Sequence, residues 1–240
     1  GTITPSGSVT VKAGADQTFT IAPNAGYTVS KVLVDGTDVG AVTSYTFQNV
    51  TENHTIEASF EKPANPFVDV VAGKYYYDAV LWAVENGVTN GKDATHFEPN
   101  GTCTRAQAVT FLWRNAGQPE PKTTAMPFND VNPGKYYEKA VLWAMEEGIT
   151  NGTTTTTFTP DANCTRAQIV TFLWRAAGQP EPKTTTMPFN DVSPGKYYEK
   201  AVLWAMEEGI TNGTTTTTFT PNADCTRAQI VTFLYRAATN

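Results

Sequence analysis

The sequence predicts two parts: a small all-β domain in residues 1–62 and an all-α unit of three repeats in residues 67–240. The repeats are visible because Phe67, Phe128 and Phe189 recur at intervals of 61 residues, and such self-similarity indicates one structural unit used several times. The first part instead alternates apolar and polar residues, as half-buried strands do. The chain has 40% hydrophobic residues and a net charge of −6, so it can bury a core, and its acidic balance argues against nucleic-acid binding.

Five strands are predicted in the first part, because apolar and polar residues alternate in five short runs. These runs are residues 9–12, 17–21, 31–34, 44–47 and 54–60. The pair Asp35-Gly36 follows one of them and is a strong hairpin signal. A further turn is predicted at residues 24–26. The two prolines within residues 61–66 mark the linker to the second part.

Each repeat is predicted to contain two helices joined by a loop. In the second repeat the first helix covers about 136–147 and ends at Gly148, because glycine commonly follows the last helical residue. The second helix covers about 166–177, and Thr165 with Gln168 forms a capping box at its start. Both helices are apolar on more than one face, so we expect the repeats to pack on one another with approximate threefold symmetry. The repeats are assigned to residues 67–127, 128–188 and 189–240.

The repeated motifs resemble those of the S-layer homology (SLH) family. In the second repeat they read Phe128-Asn-Asp-Val, Ala140-Val-Leu-Trp-Ala, Gly148-Ile-Thr-Asn-Gly, Phe158-Thr-Pro and Thr165-Arg-Ala-Gln. The pattern recurs in register three times. The resemblance implies a pseudo-threefold helical unit around a central three-helix bundle. It also implies non-covalent anchoring of exported proteins to the cell wall of Gram-positive-type bacteria.

The first part is similar to small β repeats of bacterial surface proteins, including divergent relatives of the internalin B repeat. Three short segments carry this resemblance: residues 23–27, 34–36 and 45–50. It implies that the β domain is a spacer, and it assigns no ligand to it.

The ligand implied by the SLH resemblance is a secondary cell-wall polysaccharide, often with pyruvylated amino sugars, bound in grooves between repeats. The family motif Thr-Arg-Ala-Glu reads Thr-Arg-Ala-Gln in all three repeats here, so the arginine carries over and the glutamate does not. Glutamine keeps the capping bond but lacks the charge, so it supplies no carboxylate at this position. The candidate ligand-binding residues are Arg105, Arg166, Arg227, Gln107, Gln168, Gln229, Asp69, Asp130, Asp191, Trp82, Trp143 and Trp204.

Two roles stay open for the three arginines, which occupy the first position of their predicted helices. A cation there opposes the helix dipole, whereas an arriving anion would meet both the guanidinium and free backbone N–H groups. The alternative is a salt bridge to the aspartate of the Phe-x-Asp motif. If ligand binding is the main role, replacing an arginine by alanine should cost little stability.

The aromatic residues also have two interpretations. The tryptophans at 82, 143 and 204 could stack on sugar rings or pack in the core. Adjacent tyrosines precede each of them in the sequence. One tyrosine of each pair is expected to be exposed, since neighbouring helical residues point about 100° apart.

The remaining reactive side chains give no catalytic pattern. Cys103, Cys164 and Cys225 each precede a capping threonine, where a cysteine behaves as a small buried hydrophobe; a three-cysteine metal site is the alternative. The carboxylate pairs at 146–147 and 207–208 diverge on a helix, so they indicate a solvated face rather than a glycosidase site. We expect no catalytic residue, no cofactor and no metal.

The sequence therefore predicts a non-enzymatic module that anchors a surface protein to the cell wall through polysaccharide-binding grooves. The alternative is a structural module that packs on protein neighbours and has no glycan ligand. The expected partner is a pyruvylated or otherwise anionic wall polysaccharide, with no nucleic acid and no membrane span. The protein is expected to be monomeric and extracellular, at the cell surface or wall. No signal peptide follows Gly1, so we expect the sequence to be a fragment of a longer protein.

Overall fold

The computed structural model describes residues 1–24, 27–62 and 64–240, which form two separate units. The first unit covers residues 1–65 and the second covers residues 66–240. Residues 25 and 26 of the predicted turn lie outside the described residues, and so does the linker proline Pro63.

The first unit consists of two three-stranded antiparallel sheets. The strands are β1 (Thr2–Thr4), β2 (Gln17–Ala22), β3 (Thr28–Val34), β4 (Thr37–Gly40), β5 (Ser44–Phe47) and β6 (Ile56–Glu61). One sheet has the order β1-β2-β5 and the other β4-β3-β6. Ile21, Val32, Val34 and Phe47 are buried together at the centre of this unit. The predicted β domain is therefore present, with a small core.

The predicted hairpin at Asp35-Gly36 is confirmed. It joins β3 to β4, with Val34 paired to Thr37. Both turn residues have positive φ, 50° for Asp35 and 78° for Gly36. A two-residue turn of this kind matches the twist of the flanking strands.

The strand prediction for residues 9–12 is wrong. These residues pair with no strand of the described chain, although Val9 and Val11 are half-buried and alternate with exposed neighbours. The alternating pattern therefore indicates which side chains are partly buried, but it does not indicate backbone pairing. Side chains can point alternately inward and outward along any extended segment, whether or not it pairs with a strand. The sheet that contains β2 and β5 has β1 (Thr2–Thr4) as its third strand instead.

The second unit contains six helices, two from each repeat, as predicted. They are α1 (Tyr77–Glu85), α2 (Arg105–Asn115), α3 (Glu138–Glu146), α4 (Arg166–Ala176), α5 (Glu199–Glu207) and α6 (Arg227–Thr239). The capping boxes at the start of α2, α4 and α6 are confirmed, with both the threonine and the glutamine bond present in each. The odd-numbered helices start later than predicted because the adjacent tyrosines lie in the turn before them.

The main helix contacts run between repeats. The central helices α2, α4 and α6 contact one another, while α3 packs on α2, α5 on α4 and α1 on α6. Each first helix thus packs on the second helix of another repeat, and the pairing of α1 with α6 closes the series. Trp82 and Tyr235 contribute to that closure, with ring centroids 5.6 Å apart.

The three cysteines join the repeats at the start of the central helices. The backbone N–H of Cys103 donates to the carbonyl of Cys225, that of Cys164 to Cys103, and that of Cys225 to Cys164, at 3.0, 2.8 and 2.8 Å. All three thiols are free and buried. Burial raises the pKa of Cys103 and Cys225 to about 12 and that of Cys164 well above its usual value.

The first glutamate of each predicted carboxylate pair binds the preceding linker, which corrects the expectation of a purely solvated face. Glu146 accepts the backbone N–H groups of Lys122 and Thr123, at 2.9 and 2.6 Å. Glu207 does the same for Lys183 and Thr184. These bonds fix the extended linkers against α3 and α5.

Candidate functional site

The three candidate arginines are buried at the junctions between repeats. Arg105, Arg166 and Arg227 are only 3%, 4% and 5% exposed. The Nε of Arg105 donates to the carbonyl of Phe158 and that of Arg166 to Phe219, each at 2.8 Å. The Nε of Arg227 donates to the carbonyl of Phe97 at 2.7 Å. Each arginine therefore reaches from one repeat into the loop of another, and the third reaches back to the first.

Each guanidinium also lies against two phenylalanine rings. For Arg105 the guanidinium carbon is 4.7 Å from the centroid of Phe158 and 5.5 Å from that of Phe172. The other two arginines have equivalent pairs of rings at 4.8 Å and 5.4 or 5.5 Å. Such contacts attract the cation and exclude water from it.

One nitrogen of each guanidinium has no partner. The Nη2 atoms of Arg105, Arg166 and Arg227 are buried and make no hydrogen bond within the described chain. Burial lowers the pKa of all three side chains, but an arginine keeps its charge inside a protein. A buried unpaired charged donor is costly, so a bond from this atom to an acceptor would be favourable.

Two grooves open beside these arginines. The groove beside Arg105 has a volume of about 330 Å³, and Gln168, Arg175 and Tyr197 contribute to its lining. Arg105 belongs to the first repeat, Gln168 and Arg175 to the second and Tyr197 to the third. The groove therefore needs all three repeats, and it presents two guanidinium groups.

The groove beside Arg166 is built in the same way. It has a volume of about 380 Å³, and Gln229, Arg236 and Tyr75 contribute to its lining. The second arginine of each groove lies in the last turn of a central helix. It is bonded to the turn that follows the first helix of its own repeat: the Nη1 of Arg236 donates to the carbonyl of Ile210 at 3.1 Å. An extended acidic group would contact one buried and one partly exposed guanidinium in either groove.

An asparagine–glycine turn forms one wall of the groove beside Arg105. Gly152 has a φ of +81°, and a Cβ there would collide with the Phe128 ring and the carbonyl oxygens of Thr154 and Thr157. Glycine is therefore required for the loop to fold this tightly. The backbone N–H of Thr153 donates to the carbonyl of Thr157 at 2.8 Å and closes the loop.

One tyrosine of each adjacent pair is exposed, as predicted, and two of the exposed tyrosines, Tyr75 and Tyr197, line the grooves. Tyr75, Tyr136 and Tyr197 are 61%, 59% and 58% exposed, whereas their following neighbours are buried. Partial desolvation raises the pKa of all three exposed tyrosines. An amphipathic ring beside a guanidinium suits the face of a sugar.

Two of the three capping glutamines, Gln168 and Gln229, line the grooves, and Gln107 lines neither. All three use part of their amide to cap a helix. The Oε1 of Gln168 accepts the backbone N–H of Thr165 at 3.1 Å, and Gln229 caps its own helix in the same way. Only the Nε2 donors remain for a ligand. A glutamine therefore adds no negative charge beside the two guanidiniums.

The aspartates are not paired with the arginines. Asp130 accepts the backbone N–H groups of Phe158 and Thr159 at 2.8 and 2.7 Å, and Asp69 and Asp191 hold the equivalent loops. The direct salt bridge, which was the alternative role left open for the arginines, is therefore replaced by an indirect link. The aspartate holds the loop whose phenylalanine carbonyl accepts the arginine. Asp69, Asp130 and Asp191 do not line the two grooves described above.

The tryptophans also lie away from those grooves. Trp82, Trp143 and Trp204 are 7%, 8% and 8% exposed and belong to the hydrophobic core. Trp143 and Trp204 border a separate apolar cavity of about 280 Å³ at the far ends of the central helices. Their placement matches the core-packing interpretation and gives no support to sugar stacking in the grooves.

The sequence reasoning missed the second arginine of each groove. These are Arg175 and Arg236, which lie in the last turns of α4 and α6, ten residues after the capping threonine. Arg114 is the equivalent residue of α2. They recur at the same 61-residue interval as the motif residues, so the repeat itself carried a signal for them. Nothing in one isolated helix indicates that Arg175 lines the groove beside Arg105, or that Arg236 lines the groove beside Arg166.

No metal site is formed by the candidate residues. Within residues 1–24, 27–62 and 64–240, no three His, Cys, Asp or Glu side chains are grouped so that they could hold an ion. In the same part of the chain no helix is long and apolar enough to cross a membrane.

The sequence suggested that replacing one of these arginines would cost little stability if ligand binding were its main role. Because the arginines are buried and bonded, we instead expect a loss of stability, and we expect its size to differ among them. The carbonyls of Phe158 and Phe219 accept a second bond from Thr159 and Thr220, each at 2.7 Å. No second donor to the Phe97 carbonyl is present among the described residues, because Glu98 follows it. Arg227→Met should therefore lower the free energy of unfolding by about 1–2 kcal/mol more than Arg166→Met.

Urea unfolding of the two methionine variants, compared with the parent, measures this difference. Methionine keeps an apolar stem against the phenylalanine rings, so both variants lose mainly the hydrogen bond and the charge. Equal losses, or a larger loss for Arg166→Met, would contradict the prediction.

Comparison with known proteins identifies the family. A family model described as the S-layer homology domain matches residues 66–109, 127–170 and 188–231, more than half of the chain. The chain therefore belongs to the S-layer homology family, and it is a cell-surface module of three tandem SLH repeats.

Three relatives show where such repeats occur. The chain is 30% identical to a surface-layer 125 kDa protein of Lysinibacillus sphaericus over 69% of this chain and 14% of that protein. It is 25% identical to a cellulosome-anchoring protein of Acetivibrio thermocellus over 59% of this chain and 33% of that protein. It is 34% identical to an endoglucanase of Bacillus sp. (strain KSM-635) over 51% of this chain and 13% of that enzyme. The chain spans no more than a third of any of these proteins, and its likeness to the enzyme is confined to the SLH region.

Proposed function

We propose that this chain anchors a larger extracellular protein to the cell wall by binding an anionic wall polysaccharide in the grooves between its SLH repeats. The observation that carries the proposal is the unpartnered Nη2 of a buried arginine beside each groove. The names of the surface-layer and anchoring relatives support a wall-anchoring role.

The charges of the groove favour an acidic ligand over a neutral one. Arg105 and Arg175 both line the first groove, and no carboxylate is among the residues that line it. A carboxylate of a pyruvyl group, or another acidic substituent of the glycan, would pair with both guanidiniums. Charge-assisted bonds of this kind contribute about 1.5–3 kcal/mol each.

The proposed assembly is a monomer in which the three repeats are related by pseudo-threefold symmetry. The cyclic order of the arginine and cysteine hydrogen bonds supports this arrangement. The β unit is proposed to be a spacer of the internalin B-repeat type, carrying no ligand of its own.

Sedimentation with purified walls tests the proposal. The variant Arg175→Gln/Arg236→Gln removes one partly exposed cation from each described groove, and it should weaken wall binding about tenfold or more. Added salt should also weaken binding by the parent, since the ligand is anionic. Walls stripped of their secondary polymer should bind neither protein.

The matched control removes the same charge elsewhere. Lys122→Gln/Lys183→Gln takes away two exposed cations that face Glu147 and Glu208 on the linkers, and it should bind walls like the parent. If wall binding were weakened equally in both variants, the effect would come from the net charge of the protein and not from the grooves. Binding that survives removal of the polymer but is lost when wall proteins are removed would favour a protein-interaction module instead.

A further inference from the structure

The loop beside Arg227 differs in charge from the two equivalent loops. The first repeat carries Lys92, Asp93 and Glu98 where the other repeats carry only threonines. Those threonines are Thr153, Thr154 and Thr159 in the second repeat, and Thr214, Thr215 and Thr220 in the third. The third junction therefore combines the same buried arginine with a different set of neighbours.

The arginine itself is held as at the other junctions. Arg227 donates to the carbonyl of Phe97 and lies 4.8 Å and 5.5 Å from the ring centroids of Phe97 and Phe111. Its Nη2 is buried and unpartnered. The junction is thus equally able to offer a guanidinium, and a difference in binding must come from the loop.

Glu98 places a carboxylate next to the residue that holds Arg227. Its backbone N–H is fixed by Asp69 at 2.7 Å, and its side chain faces Lys92 with Nζ 3.1 Å from Oε2. The carboxylate acts on the Arg227 guanidinium, opposing the fall in its pKa that burial causes. At the other two junctions the equivalent threonine bonds the phenylalanine carbonyl and carries no charge.

Lys92 does not cancel this negative charge for a ligand. The Lys92 and Glu98 side chains are 55% and 47% exposed, and exposed ion pairs are weak and screened. The Glu98 carboxylate lies against Gly101, whose carbonyl accepts the backbone N–H of Arg227, and a negative charge at this place opposes the binding of an acidic group beside Arg227. A glycan without an acidic group would meet no such repulsion.

We infer that Glu98 makes the junction around Arg227 select against acidic substituents, so that this chain binds an acidic glycan at two of its three junctions. The inference rests on the proposed function, because it assigns the acidic ligand to the grooves beside Arg105 and Arg166. Glu98 is the residue that determines the difference.

Binding stoichiometry on the full chain tests the inference. The probe is a methyl glycoside of an N-acetylated amino sugar that carries a pyruvyl ketal, titrated by calorimetry, and the same glycoside without the ketal is the neutral control. The parent should bind two equivalents of the acidic probe. Lys92→Thr/Glu98→Thr, which installs the residues of the other repeats, should bind three, with affinity at the new site raised about tenfold or more.

The reverse exchange provides the matched variant. Thr153→Lys/Thr159→Glu gives the groove beside Arg105 the charged pair of the first repeat, and it should bind one equivalent. Position 159 already has a φ of +53°, close to the +57° of Glu98, so the backbone can accept the exchange. A melting temperature recorded for each variant separates lost binding from lost folding.

The outcomes distinguish this inference from the proposed function. If the parent binds three equivalents equally, or if the threonine variant gains no site while the reverse variant keeps two, Glu98 does not discriminate and the grooves still bind glycan. If neither the parent nor the threonine variant binds the acidic probe, the proposed acidic ligand is wrong, and the inference is overturned with it.

Discussion

A chain that ends at residue 188, after its second repeat, is expected to lose the cooperative folding of the helical unit. The truncation removes α6, which contacts α1, α2 and α4, and it exposes the surfaces on which Ile230, Phe233 and Leu234 are buried. Burial of each such side chain contributes about 1.5–3 kcal/mol. The whole unit has only about 5–15 kcal/mol of stability to lose, so the remaining two repeats should not stay folded.

Circular dichroism and calorimetry of the truncated and parent chains measure this loss. The parent should show one cooperative transition for the helical unit, and the truncated chain should show low helicity without such a transition. The control is residues 66–240 alone, which retain every contact within the helical unit and should melt as that unit does in the parent. A cooperative transition of two repeats, with helicity in proportion to their length, would show that the closed set of three is not required.

Alkaline pH is expected to destabilise the helical unit steeply through its three buried thiols. The thiol pKa is raised by burial from an ordinary value of 9.0 to about 12 for Cys103 and Cys225, and it is raised for Cys164 as well. Because the folded-state pKa lies above the unfolded one, the stabilising effect is complete below pH 9 and is lost as the pH rises towards 12. In that window the thiols ionise in the unfolded chain but not in the folded one. For each thiol, this ionisation should lower the free energy of unfolding by about 1.4 kcal/mol per pH unit.

Urea unfolding between pH 7 and pH 10.5, in the presence of a reductant, checks this dependence. The three thiols together should give a slope of about 4 kcal/mol per pH unit above pH 9. The triple variant Cys103→Ala/Cys164→Ala/Cys225→Ala is the control, and its slope rather than its absolute stability is the quantity compared. The exposed tyrosines remain in both proteins and contribute equally, so equal slopes would mean that folding does not raise the pKa of the thiols.

The sequence by itself determined the features that depend on neighbouring residues. The capping box of Thr165 and Gln168 acts within four residues, and the Asp35-Gly36 turn acts within two, so both could be predicted with their correct bounds. The 61-residue repeat identified the three helical pairs and, through its motifs, the family. Burial of the cysteines also followed locally, because each lies one residue before a helix cap.

The tertiary structure decided what depends on distant residues. Arg105 bonds a carbonyl 53 residues away and Arg227 one 130 residues away, so no local pattern could show that these side chains are buried and stacked on phenylalanines. The same holds for Arg175 and Tyr197, which meet at one groove from different repeats. Residues 9–12 show the limit in the β unit: their alternation fixed which side chains turn inward, but a strand also needs a partner. Hydrogen bonds and stacking across repeats act only after the chain has closed on itself, and for that reason they were absent from the sequence pattern.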